Sequence, residues 1–219
     1  MRVVDLLTTG RRSYGDVDTI QRNLHADLVA GRGEPALVLC ELDSVYTAGR
    51  RTAPWDRIDP TLDVIDIDRG GRITWHGPGQ IVAYPVIRLT TPLDVVAYVR
   101  ALEAAVLDTL ADVGITGDRV AGRSGVWLHE PERKICAIGV RVARGVTLHG
   151  IALNVANSLE PYRAIVPCGI SDAGVTTMNH EAPGLFPPAS LPEVAAQLAT
   201  HLTARLAPLS ADPLTKEVV

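Results

Sequence analysis

Between residues 125 and 155 the chain reads as one strand after another, and this run limits the possible folds more than any other stretch. Its apolar segments are interrupted only by Glu130-Pro131-Glu132 and by Arg144-Gly145, both of which are turn sequences. Strands that follow one another through short turns pair antiparallel, whereas a doubly wound fold needs a helix between successive strands. The run therefore predicts an α+β fold, with mixed and largely antiparallel sheets on which helices pack.

The rest of the chain fits that plan. Residues 2–7, 36–41 and 81–89 read as strands, the first two of them buried. Val17, Ile20, Leu24 and Leu28 fall at helical spacing, with Gly31 as a stop. A second helix is expected over residues 92–113, capped by Thr91 with Asp94 three residues on, with Pro92 in its first turn and Gly114 at its end. A last helix follows Ser190, which forms a capping box with Glu193, and runs to about Leu206; residues 181–189 are a loop. The expected organisation is one domain over residues 1–210 and a disordered tail over 211–219.

Composition excludes several classes of function. At 219 residues, 47% hydrophobic and 21% charged, the chain is globular. A net charge of −4 and the lack of any binding signature argue against nucleic acid as a partner. No apolar run approaches the roughly 20 residues that span a bilayer, and the first residues lack the pattern of a signal peptide. Cysteines at 40, 136 and 168 suit neither a disulfide framework nor a metal site, which points to a cytoplasmic protein.

Lysine is almost absent. Of 21 basic residues 19 are arginine, and the lysines are Lys134 and Lys216. A solvated surface position is the ordinary reading of a lone lysine, but an ammonium can give up its proton whereas a guanidinium effectively cannot. Arg133 precedes Lys134, so charge alone was already available there. A partner is offered by Cys168, in Ile165-Val-Pro-Cys-Gly-Ile170, where proline and glycine present the thiol on a turn. A nearby cation favours the thiolate. Cys40 lies in a buried-strand setting. Cys136 is the competitor, since two residues along an extended strand it shares a face with Lys134, although its apolar neighbours suit a packed thiol.

Two further segments carry chemistry. Asp66 to Gln80 has glycine or proline at five of its 15 positions and leads into a strand, so it can wrap closely round a ligand or serve as a plain turn. It lacks the Gly-Lys-Ser/Thr ending of a phosphate-binding loop. His76 within it is a polar tip, a general acid–base group or a structural hydrogen-bonder. Thr147 to Asn154 is a strand with Gly150 in its middle, a mark of close approach by a ligand or another backbone, and His149 before it reads as structural.

Together these segments resemble the lipoyl-carrier octanoyltransferases, also called lipoyl(octanoyl) transferases, which are similar in fold to lipoate and biotin protein ligases. The resemblance covers the chain from about Tyr14 to Met178. It rests on Tyr46-Thr-Ala-Gly-Arg50, Arg69-Gly-Gly with Trp75-His-Gly-Pro-Gly-Gln80, Gly122-Arg-Ser-Gly125, Arg133-Lys134 with Ala137-Ile-Gly139, Leu148-His-Gly-Ile-Ala-Leu-Asn154 and Pro167-Cys-Gly169. Trp75 stands where the family often has tyrosine, and Cys136 where it usually has a small residue.

The resemblance implies an acyl transfer in which Cys168 forms the acyl-thioester and Lys134 favours its thiolate. It implies a substrate site lined by Arg69, Gly70, Gly71, Arg72, Ile73, Thr74, Trp75, His76, Ala137, Ile138, Gly139, Gly150, Ile151 and Ala152. The implied donor is octanoyl-acyl carrier protein. The implied acceptors are lipoyl domains of 2-oxo-acid dehydrogenase complexes and the glycine-cleavage H protein. The donor is already a thioester, so neither ATP nor any cofactor or metal is expected. Three rivals make different predictions: an ATP-dependent lipoate or biotin ligase releases AMP, a cysteine hydrolase pairing Cys168 with His76 or His149 releases free fatty acid, and a non-catalytic binding module captures no acyl group.

Overall fold

In the computed structural model of the chain, residues 1–167, 172–187 and 190–212 are described. Among them the elements run β1 (Arg2–Asp5), α1 (Tyr14–Val29), β2 (Ala36–Cys40), β3 (Val45–Ala48), β4 (Val64–Asp66), β5 (Thr74–His76), β6 (Gln80–Val86), α2 (Val95–Ala111), β7 (Asp118–Val120), β8 (Arg123–Leu128), β9 (Arg133–Ala143), β10 (Val146–Asn154), β11 (Gly174–Val175), α3 (Met178–Glu181) and α4 (Leu191–Leu206). Eight strands form the main sheet in the order β1-β2-β6-β10-β9-β8-β7, with β11 beside β9, and β4-β3-β5 form a smaller one. The pairs β1–β2, β9–β11 and β3–β4 are parallel and the others antiparallel, so the sheets are mixed and largely antiparallel.

Both faces of the main sheet are covered, which is why its central strands read as continuous apolar runs. Alternation splits them: Leu37, Leu39, Ile81 and Ala83 pack with α2 and α4, while Val38, Cys40, Val82 and Tyr84 pack with α1. On the α2–α4 side Leu37, Ile81, Leu102, Leu110, Leu198 and Leu202 are all fully buried, each worth roughly 1.5–3 kcal/mol of transfer free energy. Ile73, Trp75, Tyr162 and Ile165 form a third cluster under the small sheet.

Several local expectations are corrected. The second helix begins at Val95, not residue 92, because Asp94 rather than Thr91 caps it, accepting from Ala97 N at 2.8 Å. Ser190 forms no capping box: its own φ and ψ are helical, and its Oγ donates instead to the Pro187 carbonyl at 2.7 Å. The glycine-rich stretch, read as a ligand-wrapping segment or a plain turn, contributes β5, and β3 and β4 complete a sheet that periodicity did not announce. Ala211 N donates to Arg88 O at 2.8 Å, and residues 213–219, Lys216 among them, lie outside the described residues.

One correction bears on the chemistry. Val126 pairs with Cys136 and Trp127 with Lys134, so one step along β8 matches two along β9 and Ile135 is the extra residue of a β-bulge. Strict alternation put Lys134 and Cys136 on one face; the bulge separates them. Cys136 is fully buried in the α2–α4 core with Val126 and Leu153, whereas Lys134 turns to the side that carries Ala137 and Tyr84.

Candidate active site

A cavity of about 250 Å³ opens between the small sheet and the α1 side of the main sheet. One of its walls is built round Arg69, which is 7% exposed. Its guanidinium donates to the carbonyls of Gly70 (3.0 Å), Arg72 (2.8 Å) and Thr47 (2.9 Å) and to Thr47 Oγ1 (3.0 Å). A Cβ at Gly49 would lie 2.7 Å from one Arg69 nitrogen, and one at Gly139 would lie 2.7 Å from its Cδ. The close approach at Gly139 is therefore to a buried arginine that joins the two sheets, and at Gly49 to that arginine and to Gly71 O at 2.5 Å, with Gly70 N donating to Val140 O at 2.9 Å beside it.

Of the residues expected to line the substrate site, Arg69, Gly71, Arg72, Thr74, His76, Ala137, Ile138, Gly139, Gly150, Ile151 and Ala152 border this cavity, as does Lys134. Thr74 and His76 face it from β5, so Ile73 and Trp75 alternate away into the cluster under the small sheet. Trp75 Nε1 donates to Ser44 Oγ at 2.9 Å, and its ring meets Tyr162 edge-on at 5.6 Å. Gly70 belongs to the junction of the sheets rather than to the wall. Cys168 lies outside the described residues. The close approach at Gly150 is to backbone: a Cβ there would sit 2.2 Å from Ala83 O.

The walls also include Arg51, Tyr84, Arg123, Ser124 and His149. Arg123 and Ser124 lie within the Gly122-to-Gly125 motif and were within reach of the sequence. Tyr84 gives no signal within the Ile81–Val86 run of its strand.

Both histidines are held neutral. Burial first, and then the Arg69 guanidinium, bring His76 from 6.5 down to about 4. Its tautomer follows from a chain that starts on a backbone carbonyl. Asn154 Nδ2 donates to Thr176 O (3.0 Å), so Asn154 Oδ1 accepts from Gln80 Nε2 (2.9 Å). Gln80 Oε1 then accepts from His76 Nδ1–H (2.8 Å), leaving Nε2 as the unprotonated nitrogen. His149, whose φ is +59°, donates its backbone N–H to Gln21 Oε1 at 2.9 Å and pairs through Nε2 with Asp68 at 2.7 Å. Burial outweighs the nearby Asp18 carboxylate, and with the guanidiniums of Arg69, Arg22 and Arg141 takes it down to about 4.

Lys134 differs from Arg72 and Arg123, which also border the cavity. Arg72 is paired with Asp56 at 3.0 Å, and Arg123 with Glu132 at 2.7 Å and Asp172 at 2.6 Å. Lys134 is 6% exposed, and its Nζ lies 4.5 Å from the centroid of the Trp127 ring. Among the described residues it has no carboxylate and no side-chain hydrogen-bond partner. Pro167 borders a small void with Lys134, Thr74 and Asn154. On the other side of residues 168–171, Val175 is the β11 partner of Lys134 and Thr176 N donates to Lys134 O at 2.9 Å.

Comparison with known proteins bears on this arrangement. The family described as the lipoyl protein ligase A/B catalytic domain matches residues 16–203. An octanoyltransferase of Clavibacter sepedonicus is 50% identical over 224 aligned positions, covering 97% of this chain and 95% of the relative. One from Thermobifida fusca is 56% identical over 170, covering 74% and 72%. Among solved structures, a bipartite lipoate protein ligase of Thermoplasma acidophilum superposes with a TM-score of 0.63 at 18% identity, covering 86% of this chain and 79% of the other. An ATP-bound lipoate-protein ligase A gives 0.62 at 18%, covering 85% and 81%. At that identity the structures speak for the fold alone.

Proposed function

Because the chain belongs to the lipoyl protein ligase A/B catalytic domain family and is an octanoyltransferase, we propose that it carries the octanoyl group on Cys168, with Lys134 as its proton partner. The donor is octanoyl-acyl carrier protein, and the acceptor is a lysine of a lipoyl domain in a 2-oxo-acid dehydrogenase complex or of the glycine-cleavage H protein. The observation that carries the reading is Lys134 itself. It is a buried lysine without a described counter-ion, on the cavity wall, and Pro167 and Val175, from either side of 168–171, border one small void with it.

In the first step the Cys168 thiolate attacks the thioester carbonyl, a new carbon–sulfur bond forms, and the carrier thiolate leaves with the proton of the Lys134 ammonium. In the second the neutral acceptor amine attacks the acyl-enzyme and the amide forms. Cys168 departs as thiolate and the amine proton passes to neutral Lys134, which restores the starting state. Arginine at 134 could supply charge to the first step but accept no proton in the second.

Mass spectrometry tests this directly. Incubation with octanoyl-acyl carrier protein should add one octanoyl mass that hydroxylamine removes, Cys168→Ser should form no thioester, and Cys136→Ala should load normally. Lys134→Arg should keep part of the loading and lose transfer to the lipoyl domain. Thioester capture by Cys168→Ser, or full turnover by Lys134→Arg, would overturn the assignment. Release of AMP with free octanoate would favour the ligase reading instead.

A further inference from the structure

Helix α2 carries a carboxylate into the interior. Glu103 is fully buried, on a helix whose other buried residues include Leu102, Ala105, Val106 and Leu110. Taking a carboxylate out of water is costly, and an apolar residue of similar volume would pack there without that cost. Its two oxygens serve different partners. Oε2 pairs with Arg100 at 2.6 Å and Arg119 at 3.1 Å, side chains that are 43% and 38% exposed. Oε1 accepts from the backbone N–H of Gly125 at 3.1 Å. The arginines could reach a carboxylate at the surface; the Gly125 bond needs one in the interior.

Gly125 is where β8 bears on Lys134. Its φ is +117°, and a Cβ there would lie 2.5 Å from Cys136 O, 3.2 Å from Lys134 Cε and 3.5 Å from Lys134 Cδ. Pairing slips on both sides of this part of β8. Against β9, Ile135 is the extra residue between the Val126 and Trp127 pairs. Against β7, Asp118 pairs with Trp127 and Val120 with Arg123, so two steps along β7 match four along β8. Ladders that slip here leave the place of Gly125 loosely set, and the carboxylate fixes it from a helix. The lysine stem lies against that backbone, with Nζ over the Trp127 ring two residues on.

We propose that Glu103 is a positioning residue for Lys134: its bond to Gly125 holds β8 so that the lysine stem is directed over Trp127 and to the cavity wall. The catalytic meaning of this role rests on the transferase reading, in which Lys134 moves the proton; the placement itself does not.

The scarcity of lysine supplies the test. Protein labelled with carbon-13 lysine holds two ε-CH2 signals, from Lys134 and Lys216, and Lys134→Arg identifies the first by removing it. In the parent that signal should lie upfield of the ordinary lysine position, because an indole ring shields a group over its face. Glu103→Asp keeps the charge and retracts the carboxylate by about 1.5 Å, out of reach of Gly125 N, while the half-exposed arginines can follow it. The Lys134 signal should then move towards the ordinary position, and transfer from octanoyl-loaded enzyme to a lipoyl domain should fall about tenfold to a hundredfold. Glu103→Gln loses the charge but keeps the acceptor, so the signal should stay upfield and most of the transfer remain. An unmoved signal in Glu103→Asp, an equal shift in Glu103→Gln, or failure of both variants to fold by urea midpoint would overturn the proposal. A displaced signal with full transfer would leave Glu103 as the positioning group and remove instead the proton role of Lys134.

Discussion

Acid should destabilise this protein through its two buried histidines before carboxylates enter the balance. His76 ionises at about 4 in the folded chain, through burial and then the Arg69 guanidinium, against 6.5 when exposed. Between those values the unfolded chain holds a proton that the folded chain does not, so stability falls as pH falls; it is fully present above about 6.5. A displacement of about 2.5 pH units, at about 1.4 kcal/mol each, makes the loss about 3 kcal/mol once pH has passed about 4. His149, also taken down to about 4, adds a loss of the same sign. Against a typical total of about 5–15 kcal/mol the two together are a large share. Urea unfolding followed by tryptophan fluorescence from pH 7.5 to 4.5 measures the slope. His76→Gln should lose about half of the histidine-linked part, and comparing each protein with its own pH 7.5 value cancels the direct cost of the substitution. An unchanged slope in His76→Gln, or a His76 proton resonance that titrates near pH 6.5, would refute the reasoning.

Two further substitutions test the frame of the site. Gly150→Ala places a Cβ 2.2 Å from Ala83 O and 2.9 Å from Pro85 Cδ, so it should cost at least the upper part of the roughly 1–3 kcal/mol of overpacking; a urea midpoint matching the parent would show that β6 and β10 can separate freely. Asp56→Ala removes the acceptor for Ala53 N (2.8 Å) and the partner of Arg72 (3.0 Å). Because Arg72 is 35% exposed the expected loss is about 2 kcal/mol, and a loss below about 0.5 kcal/mol by the same assay would show that the pair is idle.

What could be read in advance followed the length of the pattern. α1, α4 and the β8–β10 run are long enough for apolar spacing to decide between helix and strand. β3, β4 and β5 have four, three and three residues, too few for any period to declare itself, and β5 sits inside a glycine-rich stretch that also reads as a loop. Caps were harder than helices, because Thr91 and Asp94 are both capable and only the backbone decides between them. Glycine density at 66–80 announced a close approach without saying to what. The tight approaches there are to the protein itself: a Cβ at Gly77 would lie 2.1 Å from the Trp75 ring and one at Gly79 2.5 Å from Asn157 N.

The lysine at 134 was conspicuous by composition, but its setting depends on a bulge that no pattern shows. Ile135 is the inserted residue that separates Lys134 from Cys136. Gly125 leaves room for the aliphatic stem, since a Cβ there would lie 3.2 Å from Lys134 Cε. The ammonium then rests over the Trp127 ring at 4.5 Å, a contact worth up to about 2 kcal/mol when desolvated. Taking an ammonium out of water costs several kcal/mol, so the indole alone does not offset its burial. A carboxylate at the site would do so, but it would also hold the proton that the first step must release and the second accept. An anion that exists only when the proton sits on the lysine meets both demands. In the proposed mechanism that anion is the thiolate of Cys168, present before acylation and gone once the acyl group is bound, when the lysine is already neutral.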